Sequence, residues 1–97
     1  MLMSVTVKFV GALRRAVNKS TMTINCSTNF SVKELIQKIL IDIPEIKTDI
    51  ITQQADGAMK NAVLILVNER EISVLNGLDT ILTNKDDVVF IPVAHGG

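Results

Sequence analysis

Residues 31–43 read SVKELIQKILIDI, and this stretch decides the fold because it predicts a long amphipathic helix. Ser31 and Glu34 have the spacing of a capping box at the helix start. Apolar side chains recur about every 3.6 residues and form one stripe: Val32, Leu35, Ile36, Ile39, Leu40 and Ile43. One helix cannot bury this stripe alone, so we expect it to lie across a β-sheet.

The segments on both sides of the helix supply the strands of that sheet. Residues 5–10 and 21–26 alternate between apolar and polar side chains, and their short connection predicts an antiparallel hairpin. Residues 62–67 predict a central strand, and residues 88–91 predict the last strand, which Pro92 ends. This order of elements predicts a two-layer α+β roll.

Shorter elements are predicted between these. Pro44 either ends the long helix or begins a short second one, and residues 50–51 predict a brief extended piece. Further along, residues 72–74 predict a short strand, residues 78–82 a helical turn, and residues 84–87 a tight turn.

The composition excludes several classes of function. The chain has 97 residues, which is the size of one domain. Ten Lys and Arg balance ten Asp and Glu, so the chain lacks the cationic surplus that direct nucleic-acid binding needs. The apolar fraction of 47% argues against disorder. No run of apolar residues is long enough to span a membrane and no signal peptide is visible, so we expect a cytoplasmic protein.

The inventory of reactive side chains argues against a self-contained enzyme. Cys26 is the single cysteine and His95 the single histidine, which excludes an internal disulfide and a zinc or iron–sulfur site with four such ligands. Cys26 shares its strand face with Met22 and Ile24, so we expect a buried structural thiol. His95 lies near the last residue, where we expect a solvated side chain. We therefore predict no catalytic residue and no metal site.

The last two residues of the sequence, Gly96 and Gly97, carry the strongest functional signal. At average glycine usage, two terminal glycines occur by chance in about 1 in 200 chains. A terminal carboxylate becomes reactive when it attacks the α-phosphate of ATP and forms an acyl adenylate. Such a tail must enter the active site of another protein as an extended thread, and glycine allows close approach of the backbone.

Together, five segments resemble one family over nearly the whole chain: residues 7–14, 64–68, 75–82, 86–92 and 96–97. The family is that of the ubiquitin-like β-grasp sulfur carriers and small modifiers. It includes the molybdopterin synthase small subunit (MoaD), the thiazole sulfur carrier (ThiS), the ubiquitin-related modifier and the archaeal small modifier proteins. The resemblance implies a β-grasp roll over residues 1–92, with a mixed sheet of four to five strands and one main helix, followed by a flexible tail at 93–97.

The resemblance also implies a role for the tail. An E1-like adenylating enzyme would activate Gly97 with ATP, and a sulfur donor would convert the carboxylate to a thiocarboxylate. The sulfur would pass to molybdopterin, in concert with the molybdopterin synthase large subunit, or to a tRNA uridine through a thiolation enzyme. The activated carboxyl could alternatively be conjugated to lysines of target proteins. The competing hypothesis is a non-covalent interaction module whose terminal glycines are incidental.

The chain departs from the family pattern in two turns. Glu69 stands where the family often has Gly, and Lys85 stands where an Asp-Gly-Asp turn is frequent. Both turns therefore lack a residue that adopts positive φ freely, although Asn68 and Asn84 tolerate the left-handed conformation, so the sequence leaves the geometry of these turns open. The final residues resemble both the Val-x-Gly-Gly ending of MoaD-like proteins and the His-Gly-Gly ending of the ubiquitin-related modifier.

Strand alternation also predicts a surface for a partner. Side chains alternate between the two faces of a strand. If one apolar set in each strand faces the helix, five other apolar side chains share the opposite face of the sheet: Val10, Leu64, Leu66, Val89 and Ile91. Such an exposed patch usually marks a binding site, although the segment at 43–61 could instead cover it. Arg14 is either a solvated side chain or a salt-bridge contact for the activating enzyme.

Overall fold

A computed structural model of the chain describes residues 2–17, 20–53, 59–61 and 63–92. Its main sheet has five strands: β1 (Leu2–Phe9), β2 (Thr21–Ser27), β5 (Val63–Val67), β6 (Arg70–Glu71) and β7 (Asp87–Pro92). Their order is β2-β1-β7-β5-β6; β1 and β7 run parallel, and the other pairs are antiparallel. Two further strands, β3 (Ile51–Gln53) and β4 (Met59–Asn61), form a separate antiparallel pair.

The predicted helix is present as α2 (Val32–Asp42) and packs on one face of the sheet. The capping box forms as expected, because Glu34 N–H donates to Ser31 Oγ while the Glu34 carboxylate accepts from Ser31 N–H, each at 3.1 Å. Four residues of the apolar stripe are fully buried: Val32, Leu35, Ile36 and Ile39. This arrangement of one main helix on a mixed five-stranded sheet confirms the predicted β-grasp roll.

The predicted inward faces of the strands are confirmed. Their side chains are buried against the helix: Val5, Val7, Phe9, Val63, Ile65, Val67, Val88 and Phe90. At the centre of this layer the rings of Phe9 and Phe90 stack with centroids 5.7 Å apart. Because side chains alternate along a strand, these burials fix which residues of β1, β5 and β7 face away from the helix.

The connection between β1 and β2 differs from the expected short loop, since it contains a helix, α1 (Ala12–Val17). The two strands do pair as an antiparallel hairpin, as predicted. Leu13 and Val17 are buried in the core, so tertiary packing stabilises a helix too short to form alone.

The expected strand at residues 72–74 is wrong, because Ile72–Val74 forms a 3-10 turn. The Glu71 carboxylate accepts a hydrogen bond from the backbone N–H of Ser73 at 2.8 Å, and this cap favours the turn over extended backbone. The helical turn that was expected at residues 78–82 is present as a 3-10 turn at Gly77–Asp79. After α2, Pro44–Ile46 forms another 3-10 turn that leads into α3 (Lys47–Ile50), and Ile46 and Ile50 are buried.

Both turns that depart from the family pattern use left-handed backbone. Asn68 has φ 50°, and its neighbour Glu69 also has a positive φ, 73°. In the turn before β7 the left-handed residue is Lys85, at φ 69°, and not its neighbour Asn84. Two consecutive positive φ values are typical of the tight hairpin turn that matches the twist of its strands.

Candidate functional site

The face of the sheet opposite α2 carries a continuous apolar surface. Strand pairing places Leu64 directly opposite Ile91, and Leu66 directly opposite Val89. Val10 N–H donates to the carbonyl of Phe90 at 3.3 Å, which places Val10 beside the end of β7. We call these five residues, Val10, Leu64, Leu66, Val89 and Ile91, the outer strip. The structure thus brings together all five apolar residues of the predicted patch.

The side chains of the outer strip are accessible to a partner. Val10 and Leu64 are 37% and 45% exposed, and the other three are half-buried by their neighbours. The inward neighbours Val88 and Phe90 are fully buried, so a shift of register that would bury the strip would expose the core. The surface is therefore a fixed consequence of the fold, and its role as a binding site stays a prediction.

Strand β7 carries the centre of the outer strip and leads toward the end of the chain. Its last residue, Pro92, pairs with Val63 on β5 and lies against Gly11. A methyl group added at Gly11 would lie 3.6 Å from Cγ of Pro92, so these residues are in close contact. Gly96 and Gly97, and the boundary predicted at residue 93, lie outside the described residues.

Helix α1 begins at this same corner. Gly11 adopts φ 63°, and its carbonyl accepts a hydrogen bond from the backbone N–H of Arg14 at 3.1 Å. A residue with a side chain is disfavoured at this φ, which explains glycine here. Arg14 is exposed, so the structure places the predicted contact residue on the helix that follows Val10 at the corner.

A polar network that the sequence did not reveal holds the start of β7. The Asp86 carboxylate, only 7% exposed, accepts hydrogen bonds from Thr83 N–H at 2.7 Å, Thr83 Oγ at 2.8 Å and Asn68 Nδ2 at 2.8 Å. In return, Asn68 Oδ1 accepts from the backbone N–H of Asp87 at 2.9 Å. The network joins the β5–β6 turn to β7 and so fixes the register of the outer strip.

The thiol of Cys26 is buried, as predicted. Burial raises the pKa of this thiol, and the nearby Lys38 ammonium only partly opposes that effect. A neutral, inaccessible thiol is a poor nucleophile, so Cys26 acts as a small core residue. Among the described residues no cluster of three His, Cys, Asp or Glu side chains could hold a metal ion, and no helix is long and apolar enough to cross a membrane.

Comparison with known proteins agrees with this geometry. Residues 4–97 match the family model of Urm1, the ubiquitin-related modifier. The chain is 31% identical to the ubiquitin-related modifier 1 homolog 1 of Arabidopsis thaliana, over 66% of this chain and 83% of that protein. Its fold resembles that of the small archaeal modifier protein 1 of Methanosarcina acetivorans, with TM-score 0.81 and 23% identity over 100% and 99% of the two chains. It also resembles Urm1 of Trypanosoma brucei, with TM-score 0.74 and 23% identity over 99% and 97%. The chain therefore belongs to the family of ubiquitin-related modifiers, within the ubiquitin-like sulfur carriers and modifiers.

Proposed function

We propose that this protein is a sulfur carrier and protein modifier that acts through the carboxylate of Gly97, in the cytoplasm. An E1-like enzyme adenylates that carboxylate, and a sulfur donor converts it to a thiocarboxylate. The protein is the substrate of these steps and contributes no catalytic side chain. The observation that carries the proposal is that β7 combines the centre of an exposed apolar surface with the path to the terminal glycines.

The chemistry consists of two substitutions. A carboxylate oxygen of Gly97 attacks the α-phosphate of ATP, pyrophosphate leaves, and an acyl adenylate forms. A sulfide equivalent from the donor then attacks the acyl carbon, and AMP leaves with the electron pair of the broken C–O bond. If a lysine amine attacks the same carbon instead, AMP leaves and an isopeptide bond forms on the target protein.

The geometry at Pro92 suits this role. Pro92 is held by its pairing with Val63 and its contact with Gly11, so the path beyond the sheet begins at a fixed point. Five residues follow it, and an extended chain of that length covers at most about 17 Å. We infer that the ATP site of the activating enzyme lies within this distance of Pro92 when the two proteins are docked.

Docking is assigned to the outer strip together with Arg14. The strip is apolar and exposed, and its centre lies on β7, the strand that supplies the tail, so an enzyme that covers it also receives the tail. The sulfur acceptor is either molybdopterin, with a synthase large subunit as partner, or a tRNA uridine, with a thiolation enzyme as partner.

The proposal is tested by incubating the protein with ATP, a sulfide source and the cognate E1-like enzyme, and then measuring its intact mass. We expect a gain equal to the mass difference between one sulfur and one oxygen atom. A variant that lacks Gly96 and Gly97 should gain nothing while melting at the same temperature. If the wild-type mass stays unchanged with several E1-like enzymes that are active on other carriers, the alternative of a non-covalent interaction module is favoured.

A further inference from the structure

Strand β2 forms one edge of the main sheet, and within the described residues it pairs only with β1. All seven of its residues pair in an unbroken register, from Thr21 opposite Lys8 to Ser27 opposite Leu2. The edge on the other side of the sheet is β6, which has only two residues. β2 is therefore the long edge of this sheet, and a long regular edge is a template for pairing with another strand.

The hydrogen bonds show which backbone groups of β2 point to the open edge. Phe9 N–H donates to the carbonyl of Ser20 at 2.9 Å, so the backbone groups of Ser20 face β1. This direction alternates along an antiparallel strand, so every second residue after Ser20 also faces β1. The residues between them direct their backbone N–H and C=O groups to the open edge: Thr21, Thr23, Asn25 and Ser27.

A side chain of α2 occupies one of these open groups. Lys38 Nζ donates a hydrogen bond to the carbonyl of Asn25 at 2.7 Å, which agrees with a carbonyl that faces away from β1. Both residues are exposed, and a lysine side chain gives up rotamer freedom to hold such a contact. An ammonium group on an edge carbonyl opposes strand addition, because an incoming strand must either displace the charge or bury it.

We propose that the open edge of β2 is a pairing surface for β2 of a second copy of this chain, and that Lys38 blocks this surface in the monomer. A two-fold axis at Ile24 aligns all of β2 with its copy in antiparallel register. In this register Thr23 pairs with Asn25 of the second copy. The N–H of Thr23 then donates to the carbonyl that Lys38 occupies in the monomer.

The side chains of β2 suit a second copy of the same strand. Those on the face away from α2 are exposed and neutral, so the aligned copies place no like charges opposite one another. On the face toward α2, Ile24 would lie beside its own copy, and the partly buried Met22 would gain Cys26 of the second copy as an apolar neighbour. Ile41 lies one turn after Lys38 on the same flank of α2 and is 80% exposed, and pairing brings the two flanks side by side.

The size of the contact explains why one side chain decides the outcome. A contact of one strand edge and one helix flank is smaller than the about 800 Å² per partner that a stable interface buries, so we expect a weak dimer. In a weak dimer, the loss of one backbone hydrogen bond and the burial of one charge shift the balance to the monomer. The pairing leaves the outer strip accessible on β5 and β7, so it does not compete with the proposed docking of the E1-like enzyme.

The first test is the variant Lys38→Met, which keeps the length of the side chain and its helix preference but removes the donor. We expect this variant to dimerise about ten-fold more tightly than wild type in analytical ultracentrifugation. Lys38→Arg keeps a cationic donor and should behave like wild type. Lys33→Met is the matched control, since Lys33 is another exposed lysine of α2 and its replacement removes the same charge.

The second test adds a change on β2 to the Lys38→Met variant. Thr23→Pro removes the N–H that would bond to the freed carbonyl, and because that N–H faces away from β1, the hairpin keeps its hydrogen bonds. Thr23→Asp keeps the backbone intact and places two carboxylates at diagonal positions across the two-fold axis, so it serves if the proline variant does not fold. Each double variant should return to the monomer.

Two results would overturn the inference. One is that Lys38→Met stays as monomeric as wild type, which would mean that a second copy does not pair with this edge. The other is that Lys38→Met associates but neither change at Thr23 weakens the association, which would place the contact elsewhere. Adenylation of Gly97 does not enter either measurement, so the outcome is independent of the proposed function.

Discussion

Replacing neighbouring residues of β7 with aspartate separates the docking surface from the core. Ile91 faces outward beside Leu64, whereas Phe90 faces inward and stacks on Phe9. Ile91→Asp should therefore weaken the binding of the E1-like enzyme while the domain stays folded. Phe90→Asp should instead unfold the domain.

The structure supplies the magnitudes. Ile91 is already half-exposed, so its replacement removes part of one apolar contact and costs about 1–2 kcal/mol of folding free energy. In the complex, the carboxylate would lie in an apolar contact with no partner, at a cost of at least about 2 kcal/mol, or about 30-fold in affinity. Phe90 has no exposed surface, so a charge there combines an uncompensated carboxylate with the loss of about 3–5 kcal/mol of packing. That sum is comparable with the whole stability of a small domain, which is about 5–15 kcal/mol.

The assay combines thermal melting with the affinity for the E1-like enzyme. Thr23→Asp is the matched control, since Thr23 is exposed on the same face of the sheet but two strands away from β7, on β2. It should bind within about two-fold of wild type, because a rim charge contributes little. The assignment of the docking surface is refuted if Ile91→Asp binds as tightly as Thr23→Asp while both remain folded.

Three further predictions concern the fold. Lys85→Gly should raise the free energy of unfolding by about 0.5–1 kcal/mol in chemical denaturation, because φ 69° is strained for lysine and free for glycine; an unchanged or lowered value would contradict the assigned turn. Asp86→Ala should lower it by about 2–4 kcal/mol, because two donors of Thr83 and the amide of Asn68 lose their acceptor, and a loss below 1 kcal/mol would show that water replaces the carboxylate. Cys26 should react with a thiol reagent only at the rate of unfolding. Because the pKa of the Cys26 thiol is raised in the folded state, the thiol stabilises the fold at pH values below its ordinary pKa. This stabilisation decreases as the pH rises above that value, and a Cys26→Ala variant should not show the decrease.

The parts of the fold that the sequence predicted are those where many residues repeat one pattern. Alternation over β1, β5 and β7 gave the inward and outward faces correctly, because a shift by one residue would expose a whole row of core side chains. The stripe and capping box of α2 are equally redundant signals. The five residues of the outer strip could therefore be named before their contacts were known.

The missed features depend on one or two residues or on distant partners. Helix α1 has six residues and is stabilised by Leu13 and Val17 in the core, which no local pattern reveals. The turn at residues 72–74 depends on a single carboxylate, that of Glu71. The polar network around Asp86 required the pairing of β5 and β7, because Asn68 is separated from Asp87 by 19 positions in the sequence. Pair contacts of this kind can be read only once the strands are paired.

Glu69 links the stability of the fold to the proposed docking. Its φ of 73° is unfavourable for glutamate, so the turn is strained, yet its exposed side chain lines a surface cavity beside Val89 of the outer strip. Glu69→Gly should therefore stabilise the domain by about 0.5–1 kcal/mol while weakening its affinity for the E1-like enzyme. Lys85→Gly is the matched control, since it removes a similar strain at a residue that does not line this cavity and lies beside Ser4, and it should leave the affinity unchanged. If both glycine variants bind equally well, the carboxylate of Glu69 has no role in docking, and the strain in this turn is only a cost to the fold.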